Sequence, residues 1–463
     1  MKQKGIRFLS LLVFTLISVT SVHTSAQSLS DNGIFYHAFA SPWSSSLNPA
    51  LFPKSARWYV SLSRVNADLS LPFSFNDLNL KYDPQRQATI FNATDFLNLL
   101  VERKCRFSIN SDINLLGVGI SFGPGLHFTL DAGARVTGIA TIPVELTRIL
   151  TEGNLNENRC LSLGTTMPIH AMAYAYASIG ASFSIPDHPV SFGARLNVMD
   201  GIAMASVDNL TVDVTTSADT SSMSLMLDYL GHYSGPYPLL TQDIENGANK
   251  ATYIPKNFGY TFDLGFKFSL LNVDISASLL DLGPGITWTE YATTVKPKSD
   301  NHAIQFDGLD INRINDTSYL NGWKDTLLSR LDYKAESGSY RFTPPTRMYF
   351  GASFSLLKTL RVGYLFHGEW SGGWFNRFGD GDFRMNNSLS LNVSLLDWLE
   401  VTAANSFSYD GETWSFFNPG LAVSLNPFRR VQFYAAVDYI SSFYLADMRA
   451  AHVYFGINLY GHR

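Results

Sequence analysis

The sequence predicts an all-β fold, a transmembrane antiparallel up-and-down β-barrel of about 14 strands with an N-terminal luminal plug and long extracellular loops. Three observations lead to this prediction. Segments of about ten residues alternate apolar and polar side chains, the pattern of a strand with one apolar face. Short and long connections alternate along the chain. Beyond the N-terminus, no apolar run reaches the roughly 18 residues that indicate a transmembrane helix.

The N-terminus has the parts of a secretory signal peptide. Basic residues precede an apolar run over residues 8–19 that is too short to cross a bilayer comfortably, and the small residues 24–26 follow it. We therefore predict a signal peptide over residues 1–26 and a mature chain that begins at Gln27.

Residues 27–56 are predicted to form the plug, and residues 57–463 the barrel. The plug stretch is rich in serine, asparagine and aromatic residues. It is too polar to cross a membrane and too aromatic to be a free tail, so we expect it inside the lumen. Its aromatic side chains either anchor the plug, which we favour, or line an apolar path when the plug shifts.

The segment LHFTLDAGARV, residues 126–136, shows the strand pattern most clearly, because every second residue is apolar. A charged side chain facing lipid at the bilayer midplane would cost about 2–4 kcal/mol, so the polar face is predicted to line the lumen. The same reasoning applies to the other strands. The residues predicted to face the lumen are His127, Asp131, Arg135, Arg195, Asp263, Lys267, Asp281, Arg361 and Glu369.

These polar residues allow two interpretations. They either pair with the plug and with each other inside a filled barrel, or they line a permeation path. We favour the first, but the strand number leaves both open. Barrels of about 8 strands are filled by side chains, and those of about 16 to 18 strands enclose a channel.

The connections give the strand number and the orientation. With the first strand at residues 58–70, six short turns and seven long loops join 14 strands. Short turns are typically periplasmic, so both termini are predicted to be periplasmic. Pro143 begins a short predicted helix, residues 143–150. The short connections are residues 123–125, 185–189, 270–272, 357–358, 396–397 and 427–429, and the long ones are about 71–111, 137–168, 215–257, 283–345, 371–385, 410–416 and 441–450.

Composition and side-chain chemistry exclude several functions. Charged residues make up 16% of the chain and the formal net charge is −5, which argues against nucleic acid as a partner and leaves outer-membrane lipid as the expected one. Cys105 and Cys160 could form a disulfide in an exported protein or remain free thiols, and both alternatives stay open. No His or Cys pair has metal-ligand spacing, so no metal site is predicted.

A hydrolase would need Ser, His and an orienting acid or Asn in contact. His127 and His367 lie instead on predicted lumen faces among glycine and serine. We therefore predict that the protein is not an enzyme and that it uses no cofactor.

Several short motifs resemble those of known barrels. Asn48-Pro49-Ala50 resembles the Asn-Pro-Ala motif of FadL-type outer-membrane barrels. Three further motifs are similar to landmarks of a Bacteroidota family of unknown function, itself similar to FadL and to the PorV-like shuttle barrel of type IX secretion. They are residues 193–196 (GARL) followed by Gly201, residues 263–265 (DLG), and residues 278–283 (SLLDLG) with Trp288.

The resemblance implies a 14-stranded barrel with an N-terminal hatch, located in the outer membrane of a Gram-negative bacterium. The C-terminus departs from the general outer-membrane pattern, because residues 459–463 contain no terminal Phe or Trp. The resemblance therefore does not extend to the C-terminal assembly signal.

Two functions remain open. The first is passive transport of a hydrophobic or small amphipathic molecule, which predicts an apolar tunnel that reaches the plug and ends at a gap in the wall. The second is a docking or shuttle barrel that binds a surface or secreted protein through its long loops. It predicts a sealed lumen and an apolar patch on loop 215–257 or loop 283–345.

Overall fold

A computed structural model shows a closed antiparallel β-barrel of 14 strands, so the predicted fold class and strand number are confirmed. The barrel strands are β1 (Ala56–Ser70), β2 (Cys105–Phe122), β3 (Leu126–Ile142), β4 (Ile169–Ser184), β5 (Val190–Thr216), β6 (Phe258–Leu270), β7 (Val273–Trp288), β8 (Thr346–Leu357), β9 (Leu360–Trp370), β10 (Phe383–Leu396), β11 (Leu399–Tyr409), β12 (Trp414–Leu425), β13 (Val431–Asp438) and β14 (Ala450–His462).

The structure describes residues 33–38, 42–53, 56–78, 80–83, 88–90, 96, 98–99, 105–123, 125–142, 159–162, 169–185, 188–216, 222–235, 256–297, 303–307, 318–319, 321–322, 333–370, 383–409, 414–428, 430–438 and 444–462. The predicted signal peptide and the predicted helix over residues 143–150 lie outside this set. The side chains of Cys105 and Cys160 also lie outside it, so their pairing stays a prediction.

Strands that follow each other in sequence pair around the barrel, and the first and last strands close it. In β1, Ala56 pairs with His462 of β14, and Trp58 pairs with Ile120 of β2. Because Ala56 begins β1 and His462 ends β14, the barrel begins and ends at the same rim. Closure leaves no unpaired sheet edge, which a lipid environment would not tolerate.

Alternation separates an apolar outer face from a polar inner face. In β3, Phe128 and Leu130 are 42% and 50% exposed, whereas His127 and Asp131 are 8% and 7% exposed. Other inner positions repeat this burial of polar residues, and the outer positions are mostly large and apolar. The outer surface is therefore the hydrophobic one, the reverse of a soluble sandwich.

The predicted strand length of about ten residues is wrong for part of the barrel. β5 has 27 residues and β13 has 8. Backbone pairing of β5 with the strand Ser222–Ser234 extends as far as Thr216, past the alternating stretch, so the sequence pattern ends before the strand does. The predicted long loops accordingly contain further strands at Lys81–Asp83, Ala88–Ile90, Arg159–Ser162, Ser222–Ser234, Thr293–Pro297, Ala303–Asp307, Tyr333–Ser337 and Tyr340–Phe342.

Among the described residues, the short helix α1 spans Trp43–Leu47, and single 3₁₀ turns span Asn76–Leu78 and Leu445–Asp447. Residues 96, 98–99, 318–319 and 321–322 are also helical. Within the described ranges, no helix has the length and apolar character needed to cross a membrane.

The N-terminal segment, which we define as described residues 33–38 and 42–53, packs against the inner face of the barrel. Asn48 and Ile34 are 0% and 1% exposed. Apolar side chains of the segment form one cluster with inner-face side chains of several strands. These are Ile34, Phe35, Tyr36, Trp43 and Leu47 from the segment and Leu280, Tyr349, Leu365, Tyr434 and Tyr454 from the barrel.

Candidate functional site

The contact between the N-terminal segment and strands β5–β7 is the candidate site, and Asn48 lies at its centre. Asn48 Nδ2 donates to the carbonyl oxygens of Phe266 at 3.2 Å and Ala277 at 3.1 Å, and to Tyr36 Oη at 3.1 Å. Asn48 Oδ1 accepts from the backbone N–H of Ala50 at 2.9 Å, an Asx turn. One buried amide thus shapes the segment and fastens it to β6 and β7.

Two glycines let the segment backbone lie directly on the sheet. Gly193 of β5 pairs with Gly265 of β6. A Cβ added at Gly265 would overlap Asn48 Oδ1 and lie 2.7 Å from the backbone nitrogen of Ala50. A Cβ at Gly193 would overlap the carbonyl group of Pro49. Only glycine leaves room for the Asn-Pro-Ala motif at these positions.

The end of helix α1 is held by side chains of the barrel. Arg195 donates to the carbonyl oxygens of Ser45 at 3.2 Å and Ser46 at 2.7 Å. Ser278 Oγ donates to the carbonyl oxygen of Leu47 at 2.6 Å. The last carbonyl groups of a helix lack partners within it and carry partial negative charge, which suits a guanidinium.

Asp263 joins this contact to the barrel wall. Its Oδ2 accepts from Arg195 Nε at 2.6 Å and from Asn197 Nδ2 at 3.0 Å. Its Oδ1 accepts from the backbone N–H of Asp281 at 2.7 Å. Asp281 has a φ of 61°, in the left-handed region that non-glycine residues rarely adopt. Asp263 therefore connects the N-terminal segment to a distorted point of β7.

The wall is irregular beside Asp281. Pairing of β7 with β8 ends at Leu280 opposite Arg347. Pairing of β7 resumes only at Ile286, opposite Phe342 of the short strand Tyr340–Phe342. The chain between Phe342 and Arg347 includes prolines at 344 and 345, which have no N–H for ladder bonds. We call residues 281–285, with residues 343–346 opposite them, the wall interruption.

An ion-pair network spans this wall interruption. Asp281 Oδ2 lies 2.7 Å from Arg347 Nη2 on β8 and 3.5 Å from Arg135 Nη1 on β3. Arg135 Nη2 also pairs with Asp112 Oδ2 at 2.8 Å. The carboxylate of Asp281 thus bridges β7 and β8 where their backbones do not pair.

These charges line a small cavity of about 40 Å³, which we call the charged cavity. Ser46 of the N-terminal segment lines this cavity. Ala50, Phe52 and Pro53 of the same segment line a second cavity of about 240 Å³, which we call the short-turn cavity. The segment therefore separates the two. The charged lining of the first consists of Arg64, Arg135, Arg195, Arg347, Asp112, Asp131, Asp263 and Asp281.

An apolar cluster adjoins the charged cavity, and Met199 and Tyr174 belong to both. Trp288 is fully buried in the cluster and packs over Gly201. Gly201 and Trp288, which belong to two separate sequence motifs, therefore lie in contact. The cluster consists of Met172, Tyr174, Met199, Met204, Ile286, Trp288, Ala292 and Phe342.

The residues predicted to face the lumen fall into four places. Asp131, Arg135, Arg195, Asp263 and Asp281 line the charged cavity. His127 and Lys267 line the short-turn cavity. Arg361 Nη1 donates to the carbonyl oxygen of His37 at 2.9 Å, and Glu369 pairs with Arg384 at 2.6 Å.

Sequence reasoning missed Arg64, Asp112 and Arg347. Arg64 is 6% exposed, and its guanidinium lies 4.8 Å from the ring centroid of Trp43. A β-bulge precedes it, because Ser63 has a φ of 49° and the β1–β14 register shifts after Leu62. The bulge moves Arg64 to the inner face. The sequence signal is a change in the phase of the apolar residues of β1 at this point.

Two chemical features bear on enzyme and metal functions. Residues 119–123, Gly-Ile-Ser-Phe-Gly, fit the Gly-x-Ser-x-Gly pattern of hydrolases. They lie at the end of β2 rather than in a strand-to-helix turn, and Ser121 Oγ donates to the carbonyl oxygen of Gly123 at 2.9 Å.

Within the described part of the chain, no group of three or more His, Cys, Asp or Glu side chains is placed to hold a metal ion.

We expect acid to weaken the docking of the N-terminal segment through His37. Burial lowers the pKa of His37 from 6.5 to about 4, and its Nε2 lies 2.9 Å from the carbonyl oxygen of Tyr364. An undocked His37 takes up its proton near pH 6.5, so docking weakens as pH falls from about 6.5 to 4. Hydrogen–deuterium exchange of residues 33–38, corrected for intrinsic rates, measures this change. H37Q should remove the pH dependence, and an unchanged profile in H37Q would contradict the assignment.

The fold defines the class of protein. A closed antiparallel barrel of 14 strands with an apolar outer face has the architecture of transmembrane β-barrels of bacterial outer membranes. The chain belongs to the family of unknown function DUF5723, whose model matches residues 49–438.

Solved structures show similarity at low identity. The chain is similar to the Ralstonia pickettii toluene transporter TbuX at 10% identity, covering 95% of this chain and 99% of that one, with a TM-score of 0.43. A Pseudomonas aeruginosa FadL homologue is 9% identical, covers 94% and 99% of the two chains, and has a TM-score of 0.44. The P. putida toluene transporter TodX is 10% identical, covers 90% and 93%, and has a TM-score of 0.42. No curated protein matches the chain.

Proposed function

We propose that the protein is an outer-membrane barrel for passive transport of small amphipathic or hydrophobic molecules, with residues 27–56 as a movable plug and both termini in the periplasm. The observation that carries the proposal is the way in which the N-terminal segment is held. It separates two cavities through side-chain and glycine contacts, with no strand pairing to the barrel among its described residues. Such contacts can break without opening the sheet.

The surroundings of the charged cavity suit a ligand with a polar head and an apolar body. Arginine and aspartate side chains offer hydrogen-bond donors and acceptors to a head group. The adjacent cluster contains Met172, Met199 and Met204, and methionine side chains repack readily around apolar ligands. Both surfaces meet at Met199 and Tyr174.

The wall interruption supports a sideways exit. No ladder bonds need to break between residues 281–285 and residues 343–346, because the two segments do not pair there. The ion pair of Asp281 with Arg347 and the hydrogen bond that Thr343 Oγ1 donates to the carbonyl oxygen of Pro284 at 3.2 Å close this stretch instead. A molecule with an apolar part gains free energy by leaving through the wall into lipid.

The docking alternative receives less support from the described residues. It needs an apolar patch on loop 215–257 or loop 283–345. In the second loop, Lys296 and Lys334 pair with Glu336 at 3.0 Å and 2.5 Å, and all three side chains are at least 40% exposed. Residues 236–255 of the first loop lie outside the described set.

Uptake of a hydrophobic dye into Gram-negative cells tests the transport proposal. N-phenylnaphthylamine fluoresces in phospholipid and is held back by an intact outer leaflet. We expect cells that make the protein to take up the dye several-fold faster than cells with an empty vector. M204E should reduce the rate, because it places a charge in the apolar cluster.

A polar dye serves as the control for general leakage and should enter both cell types equally slowly. If the protein reaches the outer membrane, folds and leaves the uptake of N-phenylnaphthylamine unchanged, the transport proposal is wrong. If M204E transports as well as the native chain, the apolar cluster is not part of the path.

A further inference from the structure

The short-turn cavity differs in chemistry from the charged cavity on the other side of the N-terminal segment. Its volume is about 240 Å³, and its polar lining consists of His127, Ser184, His188, Ser191, Lys267 and Ser269. No described lining residue is acidic, whereas four aspartates balance four arginines in the charged cavity. We propose that the short-turn cavity binds a small organic anion, a carboxylate attached to an apolar body.

The register of the sheet places the hydrogen-bond donors in a row. Ser184 of β4 pairs with Ser191 of β5, which pairs with Lys267 of β6. The hydroxyls of Ser184 and Ser191 lie 2.8 Å apart, and the backbone N–H of Ser269 donates to the carbonyl oxygen of Pro189 at 2.7 Å. The row is therefore fixed by the sheet and its turn. A carboxylate has two oxygens with about four acceptor positions, so it matches several donors at once.

Lys267 supplies the positive charge of the site. Its side chain is 15% exposed, so little water competes with a bound anion. Its Nζ lies 3.9 Å from Asp274 Oδ2, close to the upper limit for an ion pair. Asp274 belongs to β7 and does not line the cavity. His127 and His188 each add a ring nitrogen that can donate to the anion.

The remaining lining of the cavity is apolar. It consists of Ala50, Phe52 and Pro53 of the N-terminal segment and Pro189 of the turn. The ring of Phe52 stacks on His127 with centroids 4.3 Å apart and planes 10° apart. An aromatic or aliphatic body can pack here while its carboxylate reaches Lys267. This assignment does not depend on transport, because such a site can bind in a barrel that transports nothing.

Binding of benzoate to the folded mature chain in a neutral detergent tests the proposal. Titration calorimetry at pH 7.5 should show saturable benzoate binding, and the neutral analogue benzamide should bind at least tenfold more weakly. K267M should weaken benzoate binding about tenfold or more. K358M is the matched control, since Lys358 is exposed on another short turn, outside the cavity lining, and its loss should leave affinity unchanged.

Other outcomes decide against the site. Absence of saturable benzoate binding, or equal affinity in the native chain and K267M, overturns the proposal. Binding of inorganic phosphate without binding of benzoate overturns the assignment to a carboxylate with an apolar body. If K267M fails to fold, S269A replaces it, and an affinity equal to that of the native chain again counts against the site.

Discussion

Replacing Gly265 with leucine is expected to expel the N-terminal segment and open the barrel to ions. A Cβ at this position already overlaps Asn48 Oδ1, and a leucine side chain adds three more carbon atoms on the inner face. The β6 backbone cannot retreat, because it pairs on both sides with β5 and β7. In planar bilayers, G265L should therefore raise ion conductance from near zero to the level of a variant that lacks residues 27–53.

G338L is the matched control, since no atom lies within 4 Å of a Cβ at Gly338, and we expect it to stay silent. Heat-modifiable migration on gels verifies that each variant is folded. If folded G265L remains as silent as the native chain, the contact of Asn48 with β6 does not hold the segment in place. If the deletion variant is also silent, the lumen is closed by the side chains of the barrel.

Replacing Asp263 with leucine is expected to lower the free energy of unfolding by about 3–5 kcal/mol, because it leaves a buried charge without its partner. Arg195 and Asp263 have 9% and 1% exposed side chains and lie 2.6 Å apart. The substitution also removes the acceptor for the backbone N–H of Asp281 at the wall interruption. Urea unfolding in detergent, followed by tryptophan fluorescence, measures the change.

The double variant R195M/D263L separates the lost ion pair from the lost packing. We expect it to recover at least half of the loss, since neither charge then remains buried alone. D274N is the matched control, because its pair with Lys267 is longer and more exposed, and we expect a change below about 1 kcal/mol. D263L as stable as the native chain would show that this carboxylate does not hold the site together.

The charged cavity contains residues that the sequence pattern predicted to face the lumen and others that it missed. Asp131, Arg135 and Asp263 each occupy a polar position in an alternating strand, and the alternation alone places them on one face. Asp281 lies inside because the alternation of β7 reverses there, so that Leu280 and Asp281 are both buried. Alternation does not state which strands are neighbours across the lumen. Arg64 was missed because the bulge at Ser63 reverses the alternation within a single strand. In a strand, successive residues face opposite sides of the sheet. One inserted residue therefore reverses the side that every later residue faces.

The sequence by itself determined the fold class, the number of strands and the polarity of the two faces. Lipid requires apolar side chains on the outer face of every strand, so these features appear in the local alternation of apolar and polar residues. Only the tertiary structure decided where the N-terminal segment binds. Asn48 donates hydrogen bonds to carbonyl groups 218 and 229 positions away in the chain. The roles of the glycines and prolines at this site likewise depend on which residues lie opposite them. Such contacts arise from closure of the barrel and have no local period, so local pattern reading does not reveal them.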